Sequence, residues 1–195
     1  MPSPIRILSE ELLANGWAKV KRVTFDLVRR DGTTARLARE VASFGDGAAV
    51  LPYDAERGTV LLARQFRLPA MLAGAGDGMT IEAAAGLLDG DEPEACARRE
   101  LEEELGYRVT GLKRVLSVLT SPGAVAERLY LFTASYTPAD RLTAGGGHAE
   151  EGEDIEVLEM PLDQAYAMVG DGRIADAKSV ILILHLHAEV RGRRD

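Results

Sequence analysis

From Trp17 to Phe44 apolar and polar residues interleave at strand spacing. In VKRVTFDLVRR, Val20, Val23, Phe25 and Leu27 alternate with polar neighbours, and Asp31-Gly32 is a hairpin-turn pair. The stretch WAKVKRVTFDLVRRDGTTARLAREVASF therefore predicts two or three strands. Ala48 to Leu51 and Thr59 to Ala63 predict a second strand pair around the turn at Arg57-Gly58, and Thr80 to Ala84 a further extended segment. Leu112 to Leu119, Arg128 to Tyr136 and Ile155 to Glu159 complete the strands.

The strongest helix runs from Asp91 to Leu105. Asp91 or Glu92 caps it, Pro93 suits its first turn, and Gly106 suits its stop. Leu162 to Val169 predicts a short helix, and the length of Ala177 to Val190 favours a terminal helix over a strand. TAGGGHAEEGED is expected to be a flexible loop. So many strands with so few helices between them point to an α+β protein, a mixed sheet flanked by helices. Residues 1–44 predict a small antiparallel β unit ahead of a domain spanning 45–195. That unit is thin for an independent core and is expected to lean on another subunit.

A chain of 195 residues with 46% hydrophobic content can build a sizeable core. The net charge of −8 disfavours nucleic acid and anionic membrane surfaces as partners, while a cation could still bring in a polyanionic small substrate. Cys96 is the single cysteine, so no intrachain disulfide forms. The N-terminus carries no basic-then-apolar signal, and the longest apolar run, Val180 to Leu184, is too short to span a bilayer. A cytoplasmic location is the resulting expectation. The basic tail Arg191, Arg193, Arg194 reads as a solvated end.

One cluster calls for an explanation. Glu100, Glu102, Glu103 and Glu104 crowd one helix. At ~100° per residue Glu100, Glu103 and Glu104 share a face, Ala97, Leu101 and Leu105 face inward, and Glu102 points to solvent. Such a face is either solvated or a set of hard oxygen ligands for Mg²⁺ or Mn²⁺.

The surrounding residues favour the ligands. Gly86, Glu92 and then Arg99-Glu100-Leu101-x-Glu103-Glu104-x-Gly106-Tyr107 resemble the Nudix box, G-x5-E-x7-R-E-U-x-E-E-x-G-U with U bulky and apolar. The box spans 86–107, and its one departure is six residues rather than seven between Glu92 and Arg99. Outside it, VTFDLVRRDG, LAREV, LARQFR, AGLLDGDEPE, SPGAVAER, AGGGHAEEGEDIEVLEMP and IADAKSVILIL follow the order of GDP-mannose pyrophosphatases of the NudK type. The resemblance implies a Nudix fold, a mixed sheet sandwiched between helices. It also implies a homodimer with exchanged N-terminal units, and Mg²⁺-dependent hydrolysis of a nucleotide sugar.

The same resemblance implies the site. Ala85 would offer its carbonyl to a metal, with Glu100, Glu104 and Glu153 as carboxylate ligands. Glu104 also borders the substrate, and Gly86 and Leu87 line the phosphate site. The loop carrying Glu153 is two residues longer than the family pattern, and Glu150 or Glu151 could take its place. Glu103 and Glu127 are the catalytic glutamates, Glu127 also touching substrate, and Arg99 orients a metal-binding glutamate. Arg67 meets phosphate or simply ends a strand at the surface. Lys178 binds phosphate or sugar, or caps a helix. Trp17 stacks on guanine or staples the N-terminal strands to the body. Arg39 and Glu40 reach the partner's site, next to Ala38 where a basic residue is usual. His148, His185 and His187 are assigned no catalysis, and Gly145 to Gly147 are read as loop flexibility.

Three functions follow. GDP-mannose hydrolysis leads. A pyrophosphatase for ADP-ribose or another nucleotide sugar is the runner-up. The third is a Nudix-fold nucleotide-binding module without turnover.

Overall fold

The computed structural model describes residues 4–192, so Arg193 and Arg194 lie outside the described residues. Two compact units emerge. The first joins Met1–Asp46 with Leu119–Arg128, and the second comprises Gly47–Val118 and Leu129–Asp195.

In the first unit, β1 (Ile5–Asn15), β2 (Lys19–Val28) and β3 (Thr34–Ser43) form an antiparallel sheet in the order β1-β2-β3. The Asp31-Gly32 turn closes β2 onto β3, with Asp31 accepting from the Thr33 amide and hydroxyl and Gly32 at φ +85°. The strand β1 went unseen in the sequence because Ser9, Glu10 and Glu11 interrupt its apolar pattern. The Ser121–Val125 turn joins this unit through Ala42, whose N–H donates to the Ala124 carbonyl and whose carbonyl accepts from Ala126. No residue of the three strands is buried. A sheet with no fully buried residue has no core of its own.

The second unit is a mixed sheet. β4 (Gly47–Asp54), β5 (Thr59–Phe66), β8 (Leu112–Leu119), β9 (Arg128–Ser135) and β10 (Glu156–Pro161) run in the order β10-β5-β4-β9-β8, with β4 parallel to β9. The extended segment at Thr80 is two strands. β6 (Met79–Glu82) pairs with β5 and β7 (Ala84–Leu87) with β4, so the chain crosses between them at Ala83. Alternation along β4 sends Ala48 and Val50 to one face, and Ala49 and Leu51 to the other. The first face packs against α2 (Pro93–Glu100), and the second against α3 (Leu162–Gly170) and α4 (Ala177–Gly192). A further helix, α1 (Leu68–Leu72), is too short to show a period in sequence.

Two expectations need correction. The predicted single helix Asp91–Leu105 is α2 followed by a π turn, Leu101–Leu105. Glu92 occupies the N-cap position without a side-chain cap bond, and Gly106 ends the turn at φ +77°. The Gly145–Gly147 run is a dock rather than a slack loop. Gly146 and Gly147 donate to the Glu104 and Glu103 carbonyls at 3.0 Å each, which satisfies acceptors that a helix end leaves open.

Candidate active site

The π turn divides the glutamates that ideal helix geometry groups. Wide turns of this kind re-aim side chains and are common at functional sites. Leu101 and Leu105 anchor the turn in the core, fully buried. Glu104, 1% exposed, points under β7, where one carboxylate oxygen accepts the Ala85 N–H at 3.1 Å and the other, Oε1, is buried with no partner. Glu100 packs against Gly86 so tightly that a Cβ there would lie 2.1 Å from Glu100 Oε1. Glu103 turns outward to the Arg99 guanidinium at 3.2 Å and His148 Nε2 at 3.3 Å. Glu102 pairs with Arg108 at 2.7 Å, away from the others.

Arg99 ties this group together. It reaches Glu100 at 2.7 Å, Asp91 at 3.6 Å and the Leu87 carbonyl at 3.1 Å, besides Glu103. Leu87 O also accepts from the Cys96 thiol at 3.3 Å, so Cys96 is a packed donor, its pKa pushed to about 11 first by burial. Burial, then the charges of Glu100 and Glu153, raise the Glu104 carboxyl to about 8. Burial, joined by Glu103 and Glu153 and opposed by Arg99, raises Glu100 to about 7.

Glu153 donates its charge to the same group, and its carboxylate accepts the His148 N–H at 2.8 Å. Glu150 is exposed, and the side chain of Glu151 lies outside the described residues. Arg67 lies at the end of β5, where it holds Glu82 with two contacts of 3.2 Å and feels Glu104 and Glu153. Lys178 stands in the first turn of α4, held by Glu82 at 2.8 Å and Asp176 at 3.0 Å. Thus Arg67, Ala85, Gly86, Leu87, Arg99, Glu100, Glu103, Glu104, Glu153 and Lys178 belong to the second unit.

Trp17, Arg39, Glu40 and Glu127 belong to the first. There Trp17 is 80% exposed and tilts over Phe44 at 4.8 Å. Arg39 donates to the Ala38 carbonyl at 2.8 Å, Glu40 pairs with Arg22 at 3.1 Å, and Glu127 accepts the Thr120 hydroxyl at 2.5 Å.

The structure adds two neighbours of these residues that the sequence did not single out for the site, Glu82 beside Arg67 and Lys178, and His148 beside Glu103. Glu82 left a signal, an acid within the otherwise apolar run Ile81 to Leu88. His148 left none, since a histidine in a polar loop is ordinary. His187, by contrast, stacks on Tyr166 at 3.8 Å and contacts Asp163 at 3.1 Å, a packing role.

Comparison with known proteins identifies the family. The NUDIX domain family model matches residues 43–181. The chain belongs to the Nudix family. Ahead of the Nudix domain, residues 4–42 match the GDP-mannose pyrophosphatase NudK N-terminal domain. The chain is 47% identical over 191 residues to the GDP-mannose pyrophosphatase of Cronobacter sakazakii, covering 98% of each. It is 46% identical over 192 residues to that of Pectobacterium atrosepticum, covering 98% of this chain and 97% of the other. A solved ADP compounds hydrolase shares the fold, with a TM-score of 0.74 over 98% of this chain and 96% of that one at 19% identity. This chain is a Nudix hydrolase, with the α+β fold expected of it.

Nudix hydrolases use divalent metal ions such as Mg²⁺. The residues here suit one. Among the described residues no three His, Cys, Asp or Glu side chains already converge as ligands, and Arg99 holds Glu100 and Glu103 in ion pairs. Yet Glu104 keeps a buried oxygen with no partner, beside a second buried carboxylate. Hard oxygens in that state match a divalent cation. Among the described residues no helix is long and apolar enough to cross a membrane.

Proposed function

We propose that the chain hydrolyses the diphosphate of GDP-mannose, giving GMP and mannose 1-phosphate. The observation that carries this reading is the likeness to GDP-mannose pyrophosphatases at 46–47% identity over nearly the whole chain, N-terminal segment included. Water supplies the oxygen that attacks one phosphorus, the bridging P–O bond breaks, and the second phosphate leaves.

In this reading Glu100, Glu104, Glu153 and the Ala85 carbonyl hold Mg²⁺, with Mn²⁺ an acceptable substitute. When bound, such an ion screens the diphosphate and lowers the pKa of a water. Gly86 and Leu87 line the phosphates, and the absence of a Cβ at Gly86 leaves room for the Glu100 carboxylate. Arg99 holds Glu100 and Glu103 in place, which makes it an orienting group. Glu103, less buried and flanked by Arg99 and His148, and Glu127 are the candidate proton acceptors. Arg67 and Lys178 contact the phosphates and sugar, Arg67 through a planar fork suited to phosphate oxygens.

Trp17, Arg39 and Glu40 serve the base. The lack of any buried residue in the N-terminal sheet and the 80% exposure of Trp17 support a homodimer in which this unit is exchanged between subunits. The location proposed is the cytoplasm.

A panel of nucleotide sugars with Mg²⁺, read by phosphate released after phosphatase treatment, tests the reading. Preference for GDP-mannose is expected. Equal turnover of ADP-ribose or ADP-mannose would replace it with the broader pyrophosphatase. Binding without turnover would replace it with the non-catalytic module.

A further inference from the structure

Glu82 sits at the end of β6, one residue before the crossing at Ala83, and is 4% exposed. Its carboxylate receives four donors. Oε1 accepts from Arg67 Nε at 3.2 Å and the Thr80 hydroxyl at 2.6 Å, and Oε2 from Arg67 Nη2 at 3.2 Å and Lys178 Nζ at 2.8 Å. Burial alone would raise its pKa, but Lys178 and Arg67 override that and hold it at about 2, so it is an anion at every working pH. The two cations come from remote parts of the chain, the end of β5 and the first turn of α4. One acid therefore sets the direction of both.

The same hub is tied to the rest of the site. Asp176, the second partner of Lys178, accepts the Ser179 hydroxyl at 2.5 Å, and Ser179 Oγ accepts the Ala83 N–H at 2.7 Å. The start of α4 is thereby fastened to the backbone just before Ala85. A cavity of about 560 Å³ opens beside the hub, lined by Arg67, Thr80, Glu82, Arg173 and Asp176 among others. Within the hub itself two cations, Arg67 and Lys178, face two anions, Glu82 and Asp176, so the hub carries fixed donors rather than surplus charge. A buried ion cluster of this kind is weak evidence for stability in itself, since apolar packing would hold the fold as well.

We propose that Glu82 is a positioning residue, which aims Arg67 and Lys178 at the diphosphate and sugar of the substrate. This rests on the reading above that those two cations touch the substrate. Glu82 itself does not touch it.

The test is a double-mutant cycle in kcat/KM with Glu82→Gln and Arg67→Gln, using the nucleotide sugar that the wild-type enzyme turns over best. Glu82→Gln is expected to lower kcat/KM about 10- to 100-fold, because slight misplacement of a binding group costs that much. In the Arg67→Gln background the same change is expected to cost less than about threefold, since the group it positions is gone. A loss of equal size in both backgrounds, or wild-type kcat/KM in Glu82→Gln, overturns the proposal and leaves the functional reading standing. Wild-type kcat/KM in Arg67→Gln overturns the substrate role of Arg67 and the proposal with it. Should Glu82→Gln fail to fold, Thr80→Val removes one donor to Glu82 and enters the same cycle, with the same non-additivity expected.

Discussion

Glu104 gives one carboxylate oxygen to the Ala85 N–H at 3.1 Å and keeps the other buried and unpartnered. A carboxylate built this way serves a cation better than it serves the fold. Glu104→Gln should retain the Ala85 bond through its amide oxygen and relieve repulsion with Glu100 and Glu153. We expect kcat/KM to fall about 100-fold or more, as for loss of a charge-stabilising group at a reaction centre. The melting temperature of the metal-free protein should stay at or above that of the wild type. Wild-type turnover at limiting Mg²⁺ would remove Glu104 from the ligands.

The metal-free protein should lose stability as pH rises from about 5 to 8. The sign follows from burial. Glu100 and Glu104 titrate at about 7 and about 8 in the fold, against an ordinary value of 4.5. Across that interval the unfolded chain has released protons that the folded chain keeps, so unfolding is favoured. A melting-temperature decrease of at least about 2–4 °C is expected, the shift that ~1 kcal/mol produces in a domain of this size. Mg²⁺ should cancel the decrease, and Glu104→Gln should reduce it. A flat metal-free profile would contradict the burial argument.

Two glycine substitutions should separate site from scaffold. Gly86→Ala places a Cβ 2.1 Å from Glu100 Oε1, the movable end of a side chain. The carboxylate must swing away, so Mg²⁺ activation should weaken about tenfold or more with little change in melting temperature. Gly145→Ala meets the Glu104 carbonyl oxygen at 2.5 Å from a φ of +72°. Backbone cannot swing, and a loss of about 1–3 kcal/mol in unfolding free energy is expected. Denaturant titration of both variants checks the contrast.

Trp17→Ala should raise KM for GDP-mannose and leave kcat nearly unchanged. Stacking on an aromatic is worth ~1–3 kcal/mol per base, and the base is remote from the reacting phosphorus. Glu40→Gln should then narrow the preference for GDP-mannose over ADP-mannose, since stacking accepts any base. A loss confined to kcat in Trp17→Ala would argue against base stacking. Sedimentation of the wild-type chain should give a dimer, and a fully active monomer would end the exchanged-unit reading.

Much of this was legible in the linear chain because it depends on local spacing. Alternation marked β2, extended segments marked β4, β5, β8, β9 and β10, the apolar positions Ala97, Leu101 and Leu105 marked the inner helix face, and Gly106 marked its end. Crowding left the carboxylates of the helix open between a solvated face and a ligand set, and the spacing of Gly86, Arg99, Gly106 and Tyr107 around them decided for ligands. Tertiary structure decided what spacing cannot express. The π turn sends Glu104 beneath β7 and Glu103 outward, although an ideal helix keeps them together. Gly145 to Gly147 look like slack in sequence, yet the missing Cβ of Gly145 leaves room for the Glu104 carbonyl, and the amides of Gly146 and Gly147 close onto the carbonyls of Glu104 and Glu103. Glu82 joins Arg67 to Lys178 across 111 residues of chain, a meeting made only when β5, β6 and α4 pack. The residue types were written in the sequence, but their directions came from the packing of elements remote along it.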